Sequence, residues 1–428
     1  MKFFAALFFL ILYQFTSLSQ VPDKLSQQID NLIAEVPAST NMAILIYNPL
    51  TQDTITGINP KKTMIPASNT KLFTTATALE IMGGDHLIST LIFADDDDLS
   101  DSTINGNIYI KGYGNPTFTS TDLEDLVNQL YQAGLRQITG NVIGDDTYFD
   151  DIYSRDDWIT DERANVKLPP ISALIIDKNR KTVRRKRRGR YRTYFIDVDN
   201  PPQYAAIKLK ESLVGYGVEV EGNVEIGSTP DSAIALTESS IELRNLMKEI
   251  NKKSNNFYAE CLFKTLGAVY SGEQGNSFYS TQAILNFIED EGIYSEGTKI
   301  VDGSGISRFD QVTAGALVGL LEKMYFNIAQ FEDFYNSLSI AGVDGTLEKR
   351  MRGTSADSNF RGKTGTLNGV SSISGYVTDA DGDDIIVCMM FEFKKGGARK
   401  YRDLQDRIIA VLADWKSESP DKDSSGLQ

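Results

Sequence analysis

The sequence predicts an α+β protein in which an antiparallel sheet flanked by helices is interrupted by a second α+β unit. Three observations carry that expectation. Helical spacing brackets the chain, with Leu25, Ile29, Leu32, Ile33 and Val36 at one end and an amphipathic stretch over 399–415 at the other. Extended apolar runs at 42–47 and 385–393 lie just inside those helices. Between about residues 90 and 235 the pattern changes to short strands and turns, among them Ile108-Tyr109-Ile110, Val142-Ile143-Gly144 and Asn200-Pro201-Pro202. A chain of 428 residues also exceeds what one core ordinarily organises.

The elements follow in order. The helix over 24–36 leads to a buried strand at 42–47, ended by Asn48-Pro49, and Thr54-Ile55-Thr56 completes a hairpin. A helix then begins near Ser68 and stops after Met82 at Gly83-Gly84; its small Thr74, Thr75, Ala76 and Ala78 suit burial against a sheet. The inserted unit, 91–235, holds helices at 121–133 and 203–215. Helices return at 243–250 and 255–270. Near the end, 363–377 and 385–393 flank Asp381-Gly382 and predict a two-stranded antiparallel hairpin. The polar residues 417–428 read as a disordered tail.

Composition narrows the function. Met1-Lys2, the apolar run 3–13 and Ser17-Leu18-Ser19 before Gln20 read as a secretory signal peptide over 1–19, too short for a retained anchor. No later stretch is long and apolar enough to span a bilayer, so the mature chain is expected to carry no membrane span and to lie in the periplasm or cell envelope. Cys261 and Cys388 can pair in an exported chain, but two apolar settings so far apart suit buried thiols as well. With a single histidine, His86, the chain has too few ligands for a zinc site, and no metal or cofactor is expected. The run Asp95-Asp96-Asp97-Asp98 leaves an Asp-only calcium or magnesium site open, but without interleaved Gly and Glu it reads as a solvated loop. A net charge of −15 argues against nucleic acid as a partner. The basic run 181–192 is read as a solvated hairpin turning near Gly189, with contact to an anionic wall polymer as the sharper alternative.

The chemistry centres on Ser68-Asn69-Thr70-Lys71. Positions three apart share a helix face, so Lys71 sits one turn above Ser68. A serine nucleophile needs a base and fixed donors for the oxyanion. With histidine so scarce, the pattern favours a lysine-assisted serine enzyme. Ser-x-x-Lys alone is weak, since it recurs in the polar tail at Ser419-Pro420-Asp421-Lys422. Two further patterns occur in order: Ser254-Asn255-Asn256 just before a helix, and Lys363-Thr364-Gly365 opening the last hairpin. Singly, each reads as a helix cap or a strand start. Together they resemble the signature of penicillin-recognising serine acyltransferases.

Each piece has a physical role in that setting. Ser68 attacks a carbonyl, and Lys71 accepts its proton once burial and neighbouring cations depress its pKa. Ser254 relays a proton between Lys71 and the departing amine, while Asn256 holds Lys71 and donates to a substrate amide. Lys363 and Thr364 offer a cation and a hydroxyl to a terminal carboxylate. Gly365 lets the substrate backbone approach a strand edge, and the N–H groups of Ser68 and Thr366 form the oxyanion hole.

The resemblance extends further. The blocks 111–118, 144–151, 302–308 and 342–347 resemble, in order, those of the D-alanyl-D-alanine carboxypeptidase/endopeptidase family of low-molecular-mass class C penicillin-binding proteins. That likeness implies a transpeptidase/β-lactamase-like catalytic domain, 20–90 with 236–416, split by the insertion at 91–235. It implies cleavage of D-Ala-D-Ala or D-Ala cross-links in peptidoglycan stem peptides, and covalent inhibition by β-lactam antibiotics. It also implies that Tyr148, Asp151 (or Asp150), Arg308 and Leu367 line the pocket for the peptide side chain. Family members usually nest a further domain within the insertion, where 182–198 stands; only the short basic segment occupies it in this chain. Two rival readings are a serine β-lactamase, for which no acidic water-activating residue is evident, and a non-catalytic wall-binding relative.

Overall fold

The computed structural model describes residues 24–99, 101–158, 167–187, 189–394 and 396–416. The expected signal peptide and terminal tail lie outside them. The chain opens with α1 (Lys24–Ile33), β1 (Asn41–Asn48) and β2 (Asp53–Ile58), and a single 3-10 turn at Ala67–Asn69 runs into α2 (Thr70–Met82). The middle of the chain contains β3 (Leu87–Ala94), β4 (Thr103–Ile104), β5 (Ile108–Gly112), α3 (Ser120–Gln132), β6 (Gln137–Ile138) and β7 (Val142–Asp145). It continues with β8 (Arg180–Arg187), β9 (Arg190–Asp197), α4 (Pro201–Gly215), β10 (Glu219–Val220), β11 (Val224–Ile226) and β12 (Ile234–Glu242). Helices α5 (Leu243–Lys253), α6 (Asn256–Ser271), α7 (Ser277–Asp290), α8 (Ala314–Phe326) and α9 (Phe331–Ser337) follow. The chain closes with β13 (Ser339–Ile340), β14 (Arg361–Leu367), β15 (Val370–Thr378), β16 (Asp384–Glu392) and α10 (Arg399–Asp414).

The main sheet is antiparallel throughout, in the order β13-β14-β15-β16-β1-β2, so the two ends of the chain meet at its centre. Strand periodicity divides its side chains between two cores. Val387, Met389 and Phe391 pack with Leu25, Ile29, Ile408 and Leu412 of the terminal helices α1 and α10. Cys388 and Met390 face the other way, toward Leu72 and Phe73 of α2, Leu262 of α6 and Leu317 of α8. Because β16 is covered on both faces, it reads as an unbroken apolar run rather than an alternating one.

One expected element differs. The run 363–377 is two strands, β14 and β15, joined at Asn368-Gly369. Asn-Gly is the dipeptide that tight hairpin turns prefer, and the apolar and small residues on either side mask it. A third core, including Ile92, Ile110, Leu126 and Leu209, belongs to the middle of the chain, where α3 and α4 cover the sheet β11-β7-β5-β3-β12. Among the described residues strands β8 and β9 pair only with each other, as a separate two-stranded arm.

Helix α2 is buried from Thr70 to Leu79, and several of its polar groups are drawn into bonds. Thr74 donates to the Gly303 carbonyl at 2.9 Å, and Thr75 accepts from Asn251 at 3.1 Å. Among the described residues no helix is long and apolar enough to cross a membrane. Both cysteines are buried and free, and burial pushes both thiols up, Cys388 to about 12. Neither thiol should therefore react with a disulfide reagent in the native protein, and both should react in denaturant. One thiol titrating rapidly under native conditions would contradict this packing.

Candidate active site

The turn that carries Ser68 is held from two sides. Ser372 of β15 donates to the Pro66 carbonyl at 2.7 Å and accepts from Asn69 Nδ2 at 2.6 Å. Ala67 is left-handed, with φ of 49°, a conformation costly for a residue with a Cβ and sustained only by such surroundings. Gly365 of β14 packs against this turn. A Cβ there would press on Ser372 Oγ and the Pro66 carbonyl. The glycine therefore seats the turn that carries Ser68 against the strand, a different reason from the approach of substrate that the sequence suggested.

Lys71 is fully buried, and its Nζ donates to three acceptors. These are Ser68 Oγ at 3.0 Å, Asn256 Oδ1 at 2.7 Å and the Ser304 carbonyl. The last two occupy two of the nitrogen's substituent directions, so the third points at Ser68. As an ammonium, Lys71 presents an N–H there; as an amine, it presents the lone pair that can take the serine proton. Burial pulls Lys71 down to about 8, although the Asp302, Glu260 and Asp310 carboxyls oppose the shift.

Those carboxyls lie behind the lysine. Asp302 accepts from the backbone N–H groups of Ser304, Gly305 and Ser307 at 3.2, 2.6 and 2.8 Å, and fixes the loop that offers the Ser304 carbonyl. Asp310 accepts from Val301 N–H at 2.7 Å and from the Thr70 hydroxyl at 3.2 Å. Gly305, with φ of 76°, lies so close to Ala67 that a Cβ would collide with its carbonyl. The loop and the turn that carries Ser68 are thus packed backbone to backbone. Burial pushes Glu260 up to about 8, and the neighbouring Asp302 adds to the shift.

The second motif joins two helices. Ser254 ends α5 in the left-handed conformation, φ 53°, and Asn255 caps α6 by accepting from Tyr258 N–H at 3.2 Å. Asn256, turning its carbonyl oxygen to Lys71, leaves its amide N–H groups for other partners. Ser254 accepts not from Lys71 but from Lys363 Nζ, at 2.9 Å; among the described residues no bond joins Lys71 to Ser254. Lys363 is fully buried and also donates to the Thr364 carbonyl at 3.0 Å. Burial and the Lys71 charge hold its pKa well below the usual lysine range. Thr364 donates to Thr346 Oγ1 at 2.8 Å, and Asp344 two residues earlier pairs with Lys252 of α5 at 2.5 Å. Thr366 is exposed at the far end of β14. Among the described residues, the stretch Lys363 to Leu367 has a neighbouring strand, β15, along one edge only.

The remaining expected residues divide. Arg308 donates to the Asn368 carbonyl at 2.5 Å, which brings it to the turn beside Leu367. Tyr148 packs edge-on against Tyr113 at 5.0 Å and lines a groove with Lys111, Thr147 and Gln274 that does not include Arg308 or Leu367. Asp151 is exposed, while Asp150 pairs with Lys264 at 2.5 Å. His86 is half-buried at the foot of α5, where its carbonyl accepts from Leu243 N–H. Among the participants that sequence reasoning did not single out, Ser304, Asp302 and Thr346 lie within the family-like blocks, whereas Glu260, Asp310 and Ser372 lie outside them.

A sheet-backed helix placing an amine on a serine hydroxyl, beside a lysine-bearing strand edge, defines the class of lysine-assisted serine acyl-transfer folds. More narrowly, the chain belongs to the D-Ala-D-Ala carboxypeptidase 3 (S13) family, whose profile matches residues 25–193 and 186–414. The D-alanyl-D-alanine carboxypeptidase of an Actinomadura species is 27% identical, over 92% of this chain and 85% of the relative. The carboxypeptidase DacB of Haemophilus influenzae is 23% identical, over 83% and 86%. Among solved structures, penicillin binding protein 4 of Haemophilus influenzae matches the fold with a TM-score of 0.78 at 21% identity, over 90% of this chain and 99% of that one.

Two outcomes test the buried network. Asp302→Ala should keep the fold by circular dichroism yet lower the rate at which a labelled penicillin acylates Ser68 by about a hundredfold, because the Ser304 carbonyl loses its support. Asp302→Asn, which retains one acceptor oxygen, should recover part of that rate; an unchanged rate in Asp302→Ala would remove the loop from the account. For Glu260, the folded pKa lies above the unfolded one, so its stabilising contribution is complete below about 4.5 and is lost as pH rises toward about 8. Glu260→Gln should flatten that decline in denaturant titrations, and an identical pH slope in both proteins would contradict it.

Proposed function

We propose that this chain is an exported serine-type D-alanyl-D-alanine carboxypeptidase, with DD-endopeptidase action through the same acyl-enzyme. Its substrate is the peptidoglycan stem peptide, and its place is the periplasm or cell envelope. The observation that carries this reading is the fully buried Lys71 amine 3.0 Å from the Ser68 hydroxyl.

The geometry supports a sequence of steps. Ser68 Oγ bonds to the carbonyl carbon of the penultimate D-alanine while its proton passes to neutral Lys71. The N–H groups of Ser68 and Thr366 receive the oxyanion. As the carbon–nitrogen bond breaks, Ser254 gives its proton to the departing amine and is reprotonated by Lys363. Water then attacks the ester, its proton returning through Ser254 to Lys363, and Lys71 hands its proton back to Ser68. Both lysines end as they began. The substrate's terminal carboxylate, near Lys363 and Thr364, favours the charged form of Lys363 that the free enzyme disfavours.

The open edge of β14 suits a peptide added as a further strand. Arg308 and Leu367, joined through Asn368, flank its side chain; Tyr148 and Asp151 enter that pocket on resemblance alone. The separate cores support a catalytic domain of 20–90 with 236–416 and an insertion at 91–235.

β-Lactams are expected to act as covalent inhibitors. A β-lactam is bound in one Haemophilus influenzae penicillin binding protein 4 structure, and penicillin G acylates a predatory endopeptidase of Bdellovibrio bacteriovorus. A fluorescent penicillin should label the protein covalently and leave Ser68→Ala unlabelled. Equal labelling of the two proteins would favour a non-catalytic relative, and rapid turnover of a chromogenic cephalosporin a β-lactamase. Digestion of purified muropeptides, read by mass, should show loss of terminal D-alanine or cleavage of cross-links. Intact muropeptides would sink the assignment.

A further inference from the structure

The arm formed by β8 and β9 has no part in the chemistry above. On a chain of net charge −15, residues 180–192 hold nine cations and no acid. The pairing register arranges them. Directly opposed residues of an antiparallel pair share a face, and one face sets Arg185 against Arg192 and Arg187 against Arg190. All four are exposed. Like charges directly opposite destabilise a ribbon that is marginal to begin with. The arm's ion pairs lie at its base, where Asp197 meets Arg180 and Lys167; among the described residues no acid pairs with the four distal arginines.

Nothing described within the molecule offsets that repulsion, so the arrangement is explained by something the arm binds. Guanidinium forks suit carboxylates and phosphates held two oxygens at a time. The opposite face adds Tyr191 and Phe195, 66% and 69% exposed, as flat surfaces for a polymer. The arm is also continuous with the catalytic side of the protein. A groove at its base is lined by Arg180 and Phe195 of the arm, by Phe118 and Lys178, and by Tyr258. Tyr258 belongs to the first turn of α6, the helix that begins at Asn256.

We infer that the arm and the groove at its base bind the wall polymer itself, the distal arginines gripping free carboxylates of peptidoglycan strands whose stem peptides reach the cleft. This rests on the proposed function for its choice of polymer. The consequence is a preference for assembled wall over short soluble peptides, and it is salt-sensitive.

The test uses the full chain with Arg185, Arg187, Arg190 and Arg192 all changed to glutamine, in both the active protein and Ser68→Ala. Ser68→Ala should pellet with purified sacculi at low salt and be released as salt rises toward about 0.5 M. The arginine-free version should bind at least tenfold more weakly. In the active protein the same changes should leave kcat/KM on a short D-Ala-D-Ala peptide unchanged and lower the rate on sacculi at least tenfold. Equal pelleting, or equal rates on sacculi, would overturn the inference. Binding to vesicles of anionic phospholipid that sacculi do not compete away would reassign the arm to a membrane surface and overturn it as well. Arginine-dependent pelleting by a chain that cleaves neither substrate would support the arm while the proposed activity failed.

Discussion

The structure depends on a lysine amine held in a dry pocket with all its directions assigned. Two carbonyl oxygens, from Asn256 and Ser304, take two positions on Lys71 Nζ and leave the third for Ser68. Burial lowers the amine's proton affinity to about 8, so a useful fraction is uncharged near neutral pH. Neither condition suffices alone. An exposed lysine would remain an ammonium, and a buried lysine without fixed acceptors would have no reason to aim its lone pair at the serine.

The fold exists to bring the required pieces together from distant parts of the chain. Lys71 comes from a helix near the start, Asn256 from one past the middle, Ser304 from a loop and Lys363 from a strand near the end. Two packing relations do most of the positioning. The turn at Pro66–Asn69 is clamped on β14 and β15 through Ser372 and Gly365, and the 302–307 loop is clamped on that turn through Gly305. Both depend on residues without side-chain bulk at the contact, so the site is assembled by close backbone approach as much as by hydrogen bonds. The three carboxyls behind Lys71 temper its pKa, and Asp302 at the same time shapes the loop.

Much of this was legible in the sequence, and the parts that were not have physical reasons. The spacing of Ser68 and Lys71 gives their contact directly, since a helical turn determines it. Terminal helices and the long strand at 385–393 follow from periodicity and apolar length. The pairing of Ser254 with Lys363 rather than Lys71 does not follow, because it depends on how β14 lies against the α5–α6 joint. Ser304 acts through its backbone carbonyl, which carries no residue-specific signal. The break at Asn368-Gly369 was written in the dipeptide but concealed by its surroundings. The basic run 181–192 read as a solvated hairpin, with wall contact as the alternative; the hairpin is present, and what the sequence did not show is the register that sets arginine against arginine.

The most direct test of the central claim is to titrate Lys71 itself, by following its side-chain nitrogen by magnetic resonance in selectively labelled protein, assigned by comparison with Lys71→Arg. An inflection at about 8 is expected. A lysine that titrates at about 10.5, as in free solution, would contradict the account, because the amine would then remain charged at the pH where the proposed mechanism has it take the serine proton.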